Sequence, residues 1–150
     1  MENIRIQRIT TAGERKQFIK FPWRIYRHDP LWVPQLIGDE MKILDPAKGT
    51  FYTLGEIALF MAWRGSEPVG RISAQINRQY EHYHDNHTGF FGFFECIEDQ
   101  QVADALVHAA ADWLRSKGKK RMMGPMSPSM YDISGTLIDG NDSMPCILTA

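Results

Sequence analysis

The hydrophobic and polar positions of the chain follow two periods, and each period predicts one kind of element. Apolar residues that alternate with polar ones, or that run together over a short stretch, predict strands at 4–9, 56–63, 69–76, 89–95 and 121–124. Apolar residues three and four positions apart predict helices at 14–26, 32–44 and 99–117. This order predicts an α+β (mixed α/β) fold with a central, mainly antiparallel, twisted sheet flanked by helices.

The helix predicted at 99–117 has the clearest apolar face. Six residues contribute to it: Val102, Leu106, Ala109, Ala110, Trp113 and Leu114. Asp99 has the side chain of an N-cap, and Gly118 suits the left-handed residue that follows a last helical turn. Since one predicted strand precedes this helix and another follows it, we expect a right-handed crossover between two parallel strands.

Interruptions of the pattern predict the connecting segments. Loops are expected at 45–53, 77–88 and 125–142, where turn-forming and polar residues replace the periodic apolar ones. Pro22 lies inside the first predicted helix, where a proline either kinks a helix or divides it in two.

The composition is that of a soluble globular domain, with 43% hydrophobic and 23% charged residues among 150, so we expect one domain over 1–150. A formal net charge of -1 gives no overall attraction to nucleic acid or to an anionic membrane, and neither partner is expected. Cys96 and Cys146 lack metal-ligand spacing and favour a reducing cytoplasm over a disulfide scaffold. No apolar stretch approaches the roughly 20 residues of a membrane span, and no signal peptide is apparent.

The residues at 145–150 form an apolar run that resembles the start of a strand and carries no terminating signal. We therefore expect the sequence to be an N-terminal piece of a longer protein. In that case the C-terminal strands of the fold are missing, and the domain packs against a C-terminal half.

The apolar stretch GFFGFFECIEDQQ is the predicted central strand together with its exit into the long helix. With strict alternation, Glu95 shares one face of the strand with Phe91 and Phe93. The opposite face then holds Gly92 and Phe94, and the glycine is a candidate β-bulge.

A polar segment rich in histidine precedes this strand. It contains Glu81, His82, His84, Asp85 and His87. Their spacing fits no compact set of metal ligands, so a solvated loop is the favoured interpretation and no metal is expected. A metal-binding domain built on this loop is the alternative.

Four segments carry a resemblance to a known family. They are FPWRIYRHDPLWVPQL (21–36), FMAWRGSEPVGRISAQIN (60–77), GFFGFFECIED (89–99) and AAADWLRSKGKKRMMGP (109–125). Together with the order of elements, they resemble the GNAT-type N-acetyltransferase superfamily, which has the acyl-CoA N-acyltransferase fold, and within it an uncharacterised bacterial group whose members are about twice this length.

The resemblance implies an enzyme that transfers an acetyl group from acetyl-CoA to an unidentified small-molecule amine. It implies Glu95 as the general base and Tyr131 as the acid that protonates the leaving thiolate. The residues it assigns to acetyl-CoA lie on the central strand and at the start of the next helix: Phe93, Phe94, Cys96, Gln100 and Gln101.

One part of the sequence departs from the family pattern. The segment 96–102, where the family holds the diphosphate with glycines, contains no glycine and no arginine, and it carries Glu98 and Asp99. A capped structural helix is therefore the alternative at this place. The corresponding alternative function is a non-catalytic GNAT-like module that binds a ligand or a partner.

Each candidate residue also has a structural alternative. Glu95 could face solvent or pair with a basic residue, and Tyr131 could be an ordinary loop or core tyrosine. Ser127 and Ser129 could bind a substrate or cap a turn. The aromatic residues between 18 and 32 could line an acceptor pocket or belong to the core.

Overall fold

A five-stranded sheet forms the centre of the computed structural model, which describes residues 3–129, 133–136, 138–139 and 142. Its strands, in spatial and chain order, are β1 (Ile4–Ile9), β2 (Gly55–Arg64), β3 (Glu67–Asn77), β4 (Thr88–Cys96) and β5 (Arg121–Met123). The first four pair antiparallel, and β5 runs parallel to β4. The mixed α/β fold with a mainly antiparallel sheet is confirmed.

Helices cover both faces of the sheet. They are α1 (Ala12–Tyr26), α2 (Ile37–Ile43), α3 (Phe51–Leu54), α4 (Arg78–Tyr83) and α5 (Gln100–Ser116). On one face, buried residues of α5 pack against the apolar side of β2 and β3. On the other face, Phe18, Ile19 and Phe21 of α1 pack with Leu44 and residues of β2 and β4.

The β4–α5–β5 unit has the predicted parallel crossover. The Asp99 carboxylate accepts a hydrogen bond from the Gln101 amide at 2.9 Å, which caps α5, and Gly118 has a φ of +78° after the last turn. Pairing between β4 and β5 covers only three residue pairs, from Thr88↔Arg121 to Phe90↔Met123. The following strand β6 (Met126–Ser127) contacts β4 and pairs with β7 (Ile133–Ser134).

Several predictions of secondary structure were wrong. The helix expected at 32–44 is only α2, and Pro34 accounts for part of the difference because it disfavours a helical conformation at Val33. The expected loop at 77–88 contains α4, whose N-cap Asn77 accepts hydrogen bonds from two amides of the first turn. The expected loops at 45–53 and 125–142 contain α3 and the β6–β7 pair, both too short to show a period.

A β-bulge in β4 corrects the predicted faces of that strand. Gly92 pairs with Ser73 and Glu95 pairs with Arg71, so Phe93 and Phe94 together oppose one residue of β3. Phe93 adopts a φ of +47°. The bulge therefore lies one residue after the glycine that was expected to form it.

The extra residue changes which side chains share a face. Phe91 and Phe94 both lie on the α5 side, with their ring centroids 6.4 Å apart. Phe93 lies on the α1 side, against the ring of Phe18. The prediction from strict alternation, which grouped Phe91 with Phe93 and Glu95, was wrong because it counted no inserted residue.

Candidate active site

A cleft of about 310 Å³ opens on the α1 side of β4. The end of α1, the segment before α2, the bulged part of β4 and the β6–β7 region form its walls. Its polar side chains include Glu40, Arg71, Glu95 and Ser127, and aromatic rings form much of the remainder. A concave, largely apolar site with a few converging polar groups is the usual form of a small-molecule site.

Glu95 and Arg71 form an ion pair at the floor of this cleft. Their strands place them opposite each other, and Arg71 Nε lies 2.9 Å from Glu95 Oε2. The Glu95 side chain is 23% exposed, and burial raises the pKa of its carboxyl although Arg71 acts in the opposite direction. A carboxylate with these surroundings accepts a proton more readily than one at the surface.

Arg71 is more deeply buried than its partner, with 9% of its side chain exposed. Arg71 Nη1 donates to the carbonyl of Phe18 at 3.0 Å, and the guanidinium lies 5.1 Å from the Phe18 ring centroid and 5.5 Å from that of Phe93. Burial lowers the pKa of Arg71, and the charges of Glu95 and Glu40 oppose this effect. Two carboxylates therefore act on one buried cation.

The polar side of β3 is buried rather than solvated. Arg71, Ser73 and Gln75 alternate with apolar residues and are all buried. The Ser73 hydroxyl donates to the Gln75 side-chain oxygen at 2.8 Å. The Gln75 amide nitrogen donates to the carbonyls of Met126 and, at 3.1 Å, Pro128. This side of β3 thus holds β6 against the sheet.

The bulge directs one backbone amide of β4 toward β6. The Phe93 amide donates to the Ser127 hydroxyl oxygen at 2.8 Å. Gly92 permits this approach, because a Cβ atom at this position would lie 1.8 Å from the carbonyl oxygen of Met126. The glycine inside the phenylalanine run is therefore explained by the close passage of β6.

Aromatic side chains form the outer wall of the cleft. Trp32 contacts Trp23 and Tyr26, with ring centroids 5.1 and 5.6 Å apart. Burial, followed by the charge of Glu95, raises the pKa of Tyr26. The aromatic residues predicted as either pocket or core are divided between the two, since Phe18 and Phe21 are buried while Trp23, Tyr26 and Trp32 line the cleft.

The residues assigned to acetyl-CoA lie in two different places. Phe93 lines the cleft on the α1 side, whereas Phe94 borders it at the bulge while its side chain packs on the α5 side of the sheet. Cys96 packs on the α5 side of the sheet, where burial raises the pKa of its thiol. Gln100 and Gln101 begin α5, and the Gln100 side chain donates to Asp104 at 2.8 Å.

The start of α5 has an acidic partner and a basic one. Asp99 accepts a hydrogen bond from the Gln101 amide, and its carboxylate forms an ion pair with Arg64 Nη2 at 2.5 Å. The hydrogen bond from the Arg64 side chain is the main cause that lowers the pKa of Asp99. Arg64, at the end of β2, thus neutralises the charge of the capping carboxylate. The cap occupies one of the amides that an anion at this helix terminus would use.

The remaining candidates lie away from the cleft or outside the described residues. Tyr131 is outside them. The histidine-rich segment forms α4 and its exit, where Glu81 pairs with Lys119 and Asp85 accepts from the His87 amide. Within the described ranges, no three His, Cys, Asp or Glu side chains are grouped closely enough to hold a metal ion, and no helix is long and apolar enough to cross a membrane.

Comparison with solved structures decides the fold. An aminoglycoside acetyltransferase, meta-AAC0020, from an uncultured soil metagenomic sample in complex with sisomicin superimposes with a TM-score of 0.57, covering 86% of this chain and 80% of that one at 15% identity. The chain has the GNAT fold. The aminoglycoside acetyltransferase AAC(6')-Iy, solved with the bisubstrate analogue CoA-S-monomethyl-acetylneamine, gives a TM-score of 0.55 over 85% of this chain and 82% of that one, at 18% identity.

Sequence comparison adds a relative of higher identity. A protein of Caulobacter vibrioides named bacterial ceramide synthase is 36% identical over 141 residues, which are 93% of this chain and 37% of that protein. The chain thus spans little more than a third of the length of this curated relative. No model of a known protein family matches the chain.

Glu95 was proposed from the sequence and lies in the cleft, but the surroundings of this residue were not predicted. Arg71 and Glu40 were not predicted, although an arginine at an inward position of an apolar strand is a signal of a buried partner. The contact of Ser127 with β4 depends on how the chain turns after β5, and no local pattern predicts that turn.

Proposed function

We propose that this domain transfers an acyl group from acetyl-CoA, or from another acyl-CoA, to a primary amine of a small molecule. The observation that carries the proposal is the Glu95 carboxylate, which lies between aromatic walls at the floor of the cleft and is oriented by Arg71. The GNAT fold supports it, because the acetyltransferases with this fold include one solved with a CoA-containing bisubstrate analogue. The relative named bacterial ceramide synthase supports it as well, since a ceramide is an N-acyl amine.

In the proposed reaction, Glu95 accepts a proton from the ammonium form of the acceptor, directly or through one water. The free amine then attacks the thioester carbonyl and the C–N bond forms. The tetrahedral intermediate collapses with cleavage of the C–S bond, the nitrogen loses its second proton, and the departing thiolate gains one to give the CoA thiol. Its raised pKa suits Glu95 to this step, because a general base works best when its pKa lies nearer the pH of the reaction.

The oxyanion of the tetrahedral intermediate needs a hydrogen-bond donor close to the attacked carbon. The Phe93 amide at the bulge is the candidate, and the Ser127 hydroxyl now accepts its hydrogen bond. We propose that the thioester oxygen either replaces this hydroxyl or receives a hydrogen bond from it. Tyr131 remains the proposed acid for the thiolate.

A second function is favoured by one observation. Asp99 caps α5 with a negative charge where the fold would receive the diphosphate of the donor. In this alternative the domain is a non-catalytic module, and the cleft binds a small amine without acyl transfer.

Three measurements on the full-length protein separate these functions. Acetyl-CoA and a long-chain acyl-CoA should each be tested for a rise in the melting temperature, since a ligand of the native state stabilises it. Release of free CoA should then be followed with a panel of amines. We expect Glu95→Gln to reduce release by about 10²-fold or more at neutral pH, as loss of a general base does. The control Glu56→Gln alters surface ion pairs with Arg78 and Lys117, away from the cleft, and should leave the rate unchanged.

A melting temperature that no acyl-CoA changes at millimolar concentration would count against the enzyme. A rise with amines alone would support the second function. We also propose a cytoplasmic location, since Cys96 is a free thiol.

A further inference from the structure

Pro22 lies inside α1, four residues after Phe18. In an α-helix the carbonyl of one residue accepts the amide hydrogen of the residue four positions later. Proline has no amide hydrogen, so Pro22 cannot donate to Phe18. The Phe18 carbonyl is therefore left without its helical donor, and a buried carbonyl in this state needs another one.

Arg71 supplies that donor from the neighbouring strand. Its Nη1 atom lies 3.0 Å from the Phe18 carbonyl oxygen, while its Nε atom holds Glu95 at 2.9 Å. The guanidinium also contacts the rings of Phe18 and Phe93. A planar guanidinium with two directed hydrogen bonds and two ring contacts has one orientation available, and that orientation aims Nε at the carboxylate.

We propose that Pro22 is a positioning residue for Glu95: by freeing the Phe18 carbonyl, it provides the anchor that fixes Arg71 against the carboxylate. The proposal rests on the proposed function of Glu95 as the base, and it assigns a role to a proline that helix propensity alone opposes. Pro22 itself lines the cleft, so the same residue shapes the wall and orients the floor.

The charges around Glu95 set the direction of the expected effect. Arg71 of β3 faces it as the one cation among the described residues that line the cleft. Tyr26 of α1 is electrostatically coupled to it, Glu40 of α2 acts on Arg71, and Ser127 of β6 is uncharged. Loosening Arg71 weakens the charge and the hydrogen bond that lower the pKa of Glu95, so the pKa rises further.

Pro22→Ala is the test, because alanine returns an amide hydrogen to position 22 and competes with Arg71 for the Phe18 carbonyl. The titration of Glu95 should be followed in the full-length protein by carbon NMR of labelled glutamate carboxyls, with Glu95→Gln to assign the signal. We expect the midpoint to move to higher pH. The melting temperature should change little, since the gain in helix propensity from alanine offsets the loss of the buried proline ring. The control Pro46→Ala, in an exposed loop, should leave the midpoint unchanged.

A double-mutant cycle shows whether Pro22 acts through Arg71. In an Arg71→Lys background, one ammonium cannot reproduce the two directed hydrogen bonds of the guanidinium. Pro22→Ala should then add no further shift to the titration midpoint of Glu95. A Glu95 midpoint that is the same in Pro22→Ala and in the unmodified protein overturns the proposal, and so does an equal added shift in the Arg71→Lys background. The titration needs no substrate, so it tests the role of Pro22 even if the protein transfers no acyl group.

The kinetic consequence separates positioning from structure. If the proposed reaction is observed, Pro22→Ala should lower kcat by about 10-fold at neutral pH and move the acid limb of its pH profile upward, with KM for acetyl-CoA unchanged. A decrease of kcat by the same factor at every pH would contradict the role of Pro22 in positioning Glu95.

Discussion

Replacing Gly92 by alanine tests whether β6 is held against the bulge of β4. The new Cβ would meet the Met126 carbonyl oxygen at 1.8 Å, the Met126 carbonyl carbon at 2.5 Å and the Ser127 hydroxyl oxygen at 2.8 Å. Two of these atoms belong to the backbone and cannot rotate away. Accommodating the methyl group therefore requires β6 to move.

Two terms contribute to the expected loss of stability. Inserting a methyl group into a closely packed contact costs about 1–3 kcal/mol. Moving β6 also breaks the hydrogen bond from the Phe93 amide to Ser127, worth about 0.5–1.5 kcal/mol. We expect Gly92→Ala to lower the free energy of unfolding by about 1.5–4.5 kcal/mol in total.

Urea unfolding of the full-length protein, followed by tryptophan fluorescence, measures this difference. Gly13→Ala is the matched control, because Gly13 lies in the first turn of α1 and a methyl group added there would have no neighbouring atom within 4 Å. Alanine should stabilise that helical position by about 0.5–1 kcal/mol. A Gly92→Ala midpoint as high as that of the unmodified protein, at equal slope, would refute the close contact between β6 and β4.

Three further predictions concern the core, the first helix and the start of α5. Leu106→Ala should lower the free energy of unfolding by about 2–5 kcal/mol, because Leu106 is fully buried. Val107→Ala, at a partly exposed position, should lower it much less. Equal losses of the two variants in chemical denaturation would contradict the packing of α5. Hydrogen bonds from the Thr10 and Thr11 amides are the main cause that lowers the pKa of Glu14 from 4.5 to about 2. The stabilisation that the Glu14 carboxylate provides is therefore complete above about pH 4.5 and is lost as the pH falls toward 2. The difference in free energy of unfolding between the unmodified protein and Glu14→Gln should shrink over this interval. Asp99→Asn keeps a capping side chain but removes a negative charge from the start of α5. Acetyl-CoA should therefore raise the melting temperature of this variant more than that of the unmodified protein. A smaller rise would count against a site for acetyl-CoA at the start of α5.

The elements with strong local signals could be predicted from the sequence. The helix at 99–117 and its N-cap Asp99 follow from a regular apolar stripe and one capping side chain, and both were confirmed. The strands of the β2–β3 hairpin follow in the same way from alternation. These signals act over a few residues, so they can be recognised without knowledge of the rest of the chain.

The candidate site could be predicted only in part, because it depends on contacts between distant residues. Glu95 was predicted from the resemblance, but its pairing with Arg71 joins residues 24 positions apart, and the hydrogen bond from Arg71 to Phe18 spans 53. The bulge was expected at the neighbouring residue, since a glycine is the usual signal and here it serves the approach of β6 instead. Packing between distant residues determines such features, and no periodic pattern in the local sequence indicates them.

The inserted residue at the bulge has a consequence for changes in chain length. Deleting Phe93 would restore regular alternation and leave Phe91, Gly92, Phe94 and Glu95 on the faces that they occupy now, at the cost of one buried ring. Deleting a single residue of β4 away from the bulge would instead exchange the faces of the positions between the deletion and the bulge. The central strand therefore contains one point at which its length can change by a residue while the cleft keeps its carboxylate.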